Sequence, residues 1–137
     1  MSLQNQTLLS SIKPGTKILF ATVPADGHVN PLTGLAHHLK SQGYDVRWYT
    51  SEHYRPKIER LGIPFFPLQK ALDLASDPSS LFPERDAIKS QIGKLNFDIV
   101  NAFIKRGPEY YEDIQAIYQT FPFDLLIADL TFTGIPF

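Results

Sequence analysis

Two residues of this sequence, His28 and Asp129, have side chains suited to acid–base chemistry, and each follows an apolar run that ends in a turn. Imidazole is the side chain best suited to proton transfer near neutral pH. A carboxylate that accepts one ring N–H fixes the imidazole and stabilises the imidazolium that forms when the other nitrogen takes a proton. The pair therefore has the composition of a general base with its orienting group, provided that the fold brings the two side chains together.

His28 lies in a stretch that joins an apolar run to a helical pattern. Pro24 lacks an amide donor and Gly27 tolerates positive φ, so the strand that begins at residue 17 is predicted to end near Val23. Asn30 is then a predicted N-cap, and the following proline fits the first helical position. These residues place His28 in a tight turn, two residues before the N-terminus of a helix.

A strand, a glycine turn and a helix can also cradle phosphate. The dinucleotide fingerprint needs three glycines and the P-loop needs Gly-Lys-Ser/Thr. This turn has Gly27 alone and no lysine, so phosphate binding by the loop is disfavoured.

Composition sets the class of protein. The chain has 137 residues with 13 Lys and Arg against 14 Asp and Glu, a balance that offers no electrostatic footprint for nucleic acid or an anionic membrane. No apolar segment approaches the length of a bilayer span, so membrane insertion is not expected. There are no cysteines, which excludes disulfides and fits a cytoplasmic location.

The hydrophobic pattern alternates strands with helices after a polar leader at residues 1–16. It predicts strands over residues 17–23, 45–50, 63–68 and 123–128. Helices are predicted from residue 31 to the glycine at residue 43, and over residues 51–61, 84–106 and 109–120, with a long loop over residues 69–83. The last strand is apolar enough to be buried on both faces.

This alternation predicts an α/β fold, a Rossmann-like open parallel sheet with helices on both faces. Pro64 and Pro67 cannot both donate to a central ladder, so the third strand is predicted at an edge and the strand order as 3-2-1-4. The chain then reverses direction between strands 1 and 4. Ligands of open α/β sheets bind at such a switch point, where His28 and Asp129 would meet.

The segment Gly27-His28-Val29-Asn30-Pro31, with the Leu, Ala and Gly residues that follow it up to Gly43, resembles the opening of a known family. That family comprises the nucleotide-sugar-dependent glycosyltransferases of the two-domain GT-B fold, which include plant and macrolide glucosyltransferases. The resemblance covers residues 17–68 and returns in register at residues 123–129. It implies that His28 is the catalytic base for an acceptor hydroxyl and that Asp129 orients it.

The same resemblance implies a small-molecule acceptor and a nucleotide-sugar donor, a UDP- or TDP-sugar, with no further cofactor and no metal. The donor would be bound mainly by a C-terminal domain that these 137 residues lack. Residues 17–137 would then be an incomplete N-terminal, acceptor-binding domain. Such a fragment is expected to be inactive alone and to associate with itself through apolar surface left uncovered.

Other titratable residues have weaker claims to a function. His37 and His38 are predicted on the solvated face of the first helix, and His53 at the start of the second. Asp26 could contact the base or the substrate, although aspartates are common in turns without any role. Aromatic residues between Leu74 and Tyr111 could line an apolar acceptor cleft.

Two other functions are compatible with the same residues. The Asp26-x-His28 pair resembles the D-x-H-x-x-G signature of cobalamin-binding modules, in which the histidine ligates cobalt, but the glycine of that signature is replaced by Pro31. A non-catalytic α/β interaction domain is the third possibility. It predicts that His28 is buried and hydrogen-bonded away from any cleft.

Overall fold

A computed structural model describes residues 13–135 of the chain, which form one four-stranded parallel sheet. Its strands are β1 (Lys17–Ala21), β2 (Asp45–Thr50), β3 (Phe65–Pro67) and β4 (Leu125–Ala128). Their order is β3-β2-β1-β4, and all three pairings are parallel. The predicted fold class, strand order and edge position of the third strand are confirmed.

Helices connect the strands. They are α1 (Asp26–Ser41), α2 (Arg55–Arg60) behind a 3₁₀ turn at Glu52–Tyr54, α3 (Pro78–Leu81), α4 (Gln91–Asp98) and α5 (Gly107–Thr120). Between α3 and α5 the chain also makes 3₁₀ turns at Pro83–Ala87 and Ile104–Arg106 and a π-helical turn at Ile99–Phe103. No helix among residues 13–135 is long and apolar enough to cross a membrane.

Both faces of the sheet are covered, because alternate residues of a strand point to opposite sides. On one face Leu19 and Ala21 of β1 pack with Ile114 of α5. On the other face Phe20 stacks on Trp48 of β2 with ring centroids 5.1 Å apart. α1 and α2 cover that second face, so the sheet lies between two packed hydrophobic clusters.

Strand β4 differs from its prediction as a strand buried on both faces. It pairs with β1, and Leu125 at its start is 41% exposed. The strand also begins two residues later than predicted. Asp124, just before it, bonds to Lys17 twice: its carboxylate accepts the Lys17 N–H, and its own N–H donates to the Lys17 carbonyl. Among the described residues β4 is therefore the second edge of the sheet.

Helix α1 begins earlier than predicted. Ala25 precedes it in an extended conformation, and the Ala25 carbonyl accepts the N–H groups of both His28 and Val29. Asp26 in the first turn suits the positive end of the helix dipole. The predicted N-cap at Asn30 and start at Pro31 are wrong, since both residues lie inside the helix, and His28 lies in its first turn. Pro31 has no N–H to donate to the carbonyl of Gly27, four residues earlier. Gly27 is exposed in the first turn, so water can bind that carbonyl instead.

The long helix predicted over residues 84–106 is also wrong. Ile88 is extended and interrupts it, and Ser90 then starts α4 by accepting the Gly93 N–H with its hydroxyl, at 3.0 Å. These local bonds compete with a continuous helix. The interruption changes which residues face the core, so Ile92 is 75% exposed instead of buried.

The break predicted at Gly107-Pro108 is absent as well. Gly107 is helical, with φ −49°, and α5 follows directly from the 3₁₀ turn before it. Proline at the second position of α5 costs no bond there, because the first amides of a helix have no partner within it. Ile114 and Ile117 of α5 are buried.

The loop after β3 is held against α5 by acidic side chains. Asp113, which is 2% exposed, accepts the backbone N–H groups of residues 69, 70 and 71. Glu109, one turn earlier, accepts the Leu72 N–H. This clamp fixes the start of the long predicted loop.

The predicted leader lies mostly outside the described residues, because only residues 13–16 of it are described. These form a turn in which the Gly15 N–H donates to the Gly43 carbonyl at 2.8 Å.

Candidate active site

The side chains of His28 and Asp129 are in contact. His28 Nδ1 lies 2.9 Å from Asp129 Oδ1. The two residues come from the first turn of α1 and the end of β4, and they meet because β1 and β4 are neighbours whose carboxyl ends lie at one edge of the sheet. The side chains are 26% and 9% exposed, respectively, so the imidazole keeps an opening to solvent.

The Asp129 carboxylate is fixed by further donors. Its Oδ2 accepts the Val23 N–H at 2.8 Å, just beyond the end of β1. Its Oδ1 accepts the Thr131 N–H at 2.9 Å and the Thr131 hydroxyl at 2.7 Å, in addition to facing the imidazole. With this many donors the carboxylate has one orientation, which is what an orienting group needs.

Asp129 caps no helix within the described part of the chain. Residues 129–135 form a turn and an extended segment without a helix. Asp129 instead closes a local turn onto Thr131, and the oxygen that closes this turn is also the one that faces His28. Aspartate often bonds the backbone two residues ahead in this way.

This geometry assigns the ring nitrogens of His28. A carboxylate only accepts, so the nitrogen that faces Asp129 carries the proton. Nε2 is then left with its lone pair free. A neutral imidazole in this form can remove a proton from a hydroxyl group placed at Nε2.

An apolar cavity of about 290 Å³ opens beside the pair. Its lining is mostly aliphatic and aromatic: Val23, Pro24, Ala25, Leu74, Leu81, Phe82, Arg85, Asp98, Ala102 and Phe103. Two of these residues also contact the pair, since Val23 donates to Asp129 and the Phe103 ring centroid lies 6.2 Å from that of His28. The cavity contains side chains from the segment predicted to line an acceptor cleft.

One ion pair lies in the cavity wall. Arg85 donates to both carboxylate oxygens of Asp98, at 2.6 and 2.8 Å. This bidentate hydrogen bond lowers the pKa of Asp98 and raises that of Arg85. The pair joins the 3₁₀ turn before α4 to the end of α4, and so holds the broken segment closed around the cavity.

Asp26 does not contact the imidazole. Its Oδ1 accepts the hydroxyl of Tyr54 at 3.0 Å, which ties the start of α1 to the turn before α2. Burial, with a smaller effect of the Asp26 carboxylate, raises the pKa of Tyr54 to about 12. The structure therefore gives Asp26 a hydrogen bond that joins two elements of the fold.

The other histidines lie apart from this site. His37, His38 and His53 are all exposed, as the helical pattern predicts for the first two. Among residues 13–135 no three acidic or histidine side chains are grouped closely enough to hold a metal ion.

Sequence reasoning missed two members of the site. Thr131 contacts both side chains of the pair, and its place two residues after an aspartate in a turn is a local signal that could have indicated it. Phe103 was predicted only as one of the aromatic residues that could line a cleft, and it lies beside His28 at the end of a π-helical turn. No local feature of the sequence predicts that turn.

Known proteins with similar sequences are glycosyltransferases. The chain is 35% identical over 124 residues to 4'-demethylrebeccamycin synthase of Lentzea aerocolonigenes, a match that covers 90% of this chain and 29% of the relative. It is 28% identical to UDP-glycosyltransferase 2 of Phaeomoniella chlamydospora, over 82% of this chain and 24% of that protein. The chain thus spans less than a third of the curated relatives it matches. No protein-family profile matches it.

Solved structures show the same fold. CalG4, the calicheamicin glycosyltransferase, superposes with a TM-score of 0.65 at 19% identity, over 85% of this chain and 27% of that one. The glycotransferase of kitacinnamycin gives a TM-score of 0.61 at 21% identity, over 86% and 26%. At these identities the likeness concerns the fold, and it fits the N-terminal part of a GT-B enzyme.

Proposed function

We propose that this chain, which belongs to the nucleotide-sugar-dependent glycosyltransferases of the GT-B fold, forms the acceptor side of an inverting transferase. The complete enzyme would move a sugar from a nucleoside diphosphate to a hydroxyl group of a small, apolar acceptor. The contact between His28 Nδ1 and Asp129 Oδ1 at the mouth of an apolar cavity carries the proposal.

In this proposal the acceptor occupies the cavity and presents its hydroxyl to Nε2 of His28. The imidazole removes the hydroxyl proton as the acceptor oxygen attacks the anomeric carbon, and the bond from that carbon to the diphosphate oxygen breaks. Attack opposite the leaving group inverts the anomeric centre. Asp129 holds the ring and stabilises the imidazolium that results.

The cavity supports an apolar acceptor, because most of the side chains that line it are aliphatic or aromatic. Its volume of about 290 Å³ matches a small molecule or one end of a larger one. The Arg85–Asp98 ion pair offers the only charged groups among the residues that line it, and each already satisfies the other.

The donor is proposed to be a UDP- or TDP-sugar held mainly by a second domain. Support comes from relatives that are named as a UDP-glycosyltransferase and a UDP-glucosyltransferase, of which the match covers 24% and 26%. The loop after β1 has a single glycine and no lysine, so it does not supply a phosphate cradle. A cytoplasmic location is proposed with it, since activated sugars of this kind serve as donors there.

Two observations disfavour the other functions. The cobalamin signature needs a glycine where this chain has Pro31, in the middle of α1. A non-catalytic domain would bury its histidine away from any cleft, whereas His28 is partly exposed and lies beside an apolar cavity.

Replacing His28 in the complete transferase tests the proposal. His28→Ala should lower the rate of transfer to an alcohol acceptor by roughly 10²- to 10⁴-fold, the usual contribution of a general base. A phenol of low pKa should lose less, because it needs the base less. His37→Ala, on the exposed face of the same helix, is the matched control. Unchanged transfer to an alcohol by His28→Ala would refute the proposal.

We also propose that the isolated chain associates with itself through the β4 edge, where Leu125 is exposed and the outer ladder is open among the described residues. Light scattering should show a dimer or larger assembly at high concentration. Leu125→Lys should shift it towards monomer. A monomer in both cases would contradict this proposal without affecting the chemistry.

A further inference from the structure

We propose that Thr131 is a positioning residue whose hydroxyl strengthens the selection, begun by Asp129, of the His28 ring nitrogen that carries the proton. The inference deepens the proposed function, since the selected tautomer is the one that leaves Nε2 free to act as the base. The tautomer of the His28 ring can be measured without any transfer reaction.

Three polar atoms form a closed triangle at the site. Thr131 Oγ1 lies 3.1 Å from His28 Nδ1 and 2.7 Å from Asp129 Oδ1, and the nitrogen lies 2.9 Å from that same oxygen. Each atom is therefore within hydrogen-bonding distance of the other two.

The chemistry of the three groups decides where the protons are. The carboxylate oxygen of Asp129 can only accept, so the single hydroxyl hydrogen of Thr131 points to it. A lone pair of the hydroxyl oxygen then faces Nδ1. The nitrogen consequently meets two acceptors, and both are satisfied only if Nδ1 carries the hydrogen.

The alternative tautomer of His28 is opposed twice. With the hydrogen on Nε2, the Nδ1 lone pair would face the charged oxygen of Asp129. To relieve this, the Thr131 hydroxyl would have to turn its hydrogen to Nδ1 and give up its own bond to the carboxylate. The hydroxyl thus adds to the selection that the carboxylate already makes.

A second threonine in the same loop provides a matched comparison. The Thr133 hydroxyl donates to the backbone carbonyl of Phe103 at 2.9 Å. Removing that hydroxyl alters the same segment and a neighbour of the imidazole ring, but it does not alter the triangle. Loosening of the loop can therefore be separated from loss of the hydroxyl at residue 131.

The test is ¹⁵N NMR of the His28 ring at a pH where it is neutral, on the chain itself. In the wild type the Nδ1–H form should dominate. Thr131→Val keeps the branched shape and removes the hydroxyl, and it should lower the ratio of Nδ1–H to Nε2–H forms roughly 3- to 10-fold, the effect of one net hydrogen bond. Thr131→Ser should restore the wild-type ratio, and Thr133→Val should keep it.

An unchanged ratio in Thr131→Val, or an equal change in Thr133→Val, would overturn the inference. Thr131→Ala removes the same hydroxyl with less side-chain volume and replaces the valine variant if that one does not fold. Backbone amide spectra of each variant establish folding before the ring is measured.

Activity of the complete transferase separates this inference from the function on which it rests. Thr131→Val should lower kcat for an alcohol acceptor by no more than the fall in the tautomer ratio, at most roughly 3- to 10-fold, with little change in KM, and serine should rescue it. If the tautomer ratio responds while His28→Ala still transfers sugar at full rate, the proposed function fails and the positioning role stands. If His28→Ala abolishes transfer and the ratio does not respond, the positioning role fails alone.

Discussion

Two aspartates in this fold, Asp113 and Asp129, bind several donors each, yet they serve different ends. Asp113 lies in α5 and is almost fully buried, and it accepts the Tyr49 hydroxyl at 2.6 Å together with three consecutive loop amides. Asp129 accepts a backbone N–H from each of two loops and faces the imidazole of His28. With the Thr131 hydroxyl, which also donates to Asp129, each carboxylate has four hydrogen bonds.

The partner of each carboxylate explains the difference. Burial, and after it the hydrogen bond to Asp113, raises the pKa of Tyr49 far above its ordinary value, so this phenol is protonated at neutral pH. The bond between them is therefore purely structural. The partner of Asp129 is an imidazole, the side chain best suited to proton transfer, and it is partly exposed beside an apolar cavity. Asp129 belongs to the candidate site because its partner is a partly exposed imidazole, whereas the partner of Asp113 is a buried phenol.

The largest expected effect is the loss of stability in Asp113→Ala. The change leaves a buried phenol and three amides without their acceptor, and it should lower the free energy of unfolding by about 3 kcal/mol or more. Urea unfolding followed by circular dichroism measures this. Asp113→Asn keeps one acceptor oxygen and should lose less. A loss under about 1 kcal/mol for the alanine variant would show that the clamp on the loop is dispensable.

Asp129→Asn should lower the rate of transfer more than it lowers the stability of the fold, the opposite of what is expected at Asp113. The amide puts a donor where one of two acceptors stood, so either Val23 or His28 loses its partner. Transfer to an alcohol by the complete enzyme should fall roughly 10- to 100-fold, the contribution of one hydrogen bond to a charged group. Asp113→Asn, assayed well below its melting temperature, is the control and should change kcat less than about threefold. Equal losses in both variants would erase the distinction drawn here.

The smallest expected effect concerns a third contact of this type, Tyr54 with Asp26. Below pH 10 the phenol is protonated in both the folded and unfolded chain, so its contribution is complete. Between pH 10 and about 12 only the unfolded chain loses the proton, and stability falls as pH rises. Burial of Tyr49 and Tyr110 raises their pKa values and adds loss of the same sign.

Tyr54→Phe should therefore lower stability by about 1 kcal/mol at neutral pH and make its decline above pH 10 less steep. Unfolding in urea at pH 7, 9 and 11 measures both quantities. Tyr118→Phe, at an exposed position on α5, serves as the control. A variant whose stability declines as steeply as that of the wild type would contradict the pKa assigned to Tyr54.

The end of the sheet that carries the pair could be predicted because long-range topology follows from local signals. Two prolines predicted that β3 lies at an edge of the sheet. The strand order that follows from this makes β1 and β4 neighbours, so that their carboxyl ends meet. The contact between His28 and Asp129 then needed no knowledge of side-chain packing. The start of α1 was misplaced, because Asn30 and Pro31 are strong start signals whose effect the loop's own hydrogen bonds at Ala25 overrode.

The cavity side of the molecule could not be predicted in the same way. The apolar spacing over residues 84–106 is helical, but the chain breaks at Ile88, makes a π-helical turn and exposes much of the apolar face. The position of the preceding loop depends on Asp113, 42 to 44 residues away in sequence. Bonds of this range leave no periodic signal, so the cavity wall was predicted only as a region.

The bond from Val23 N–H to Asp129 Oδ2 has a consequence for protein engineering. This bond lies just beyond Ala21 and Ala128, the last β1–β4 pair. The Asp129 side chain therefore continues the hydrogen bonding between the two strands past the end of their backbone pairing. The residue proposed to orient the base is thereby also a terminal part of the sheet. A redesign that gives the site a different base can exchange His28 freely, but it has to keep a carboxylate at residue 129 or rebuild the end of the first strand.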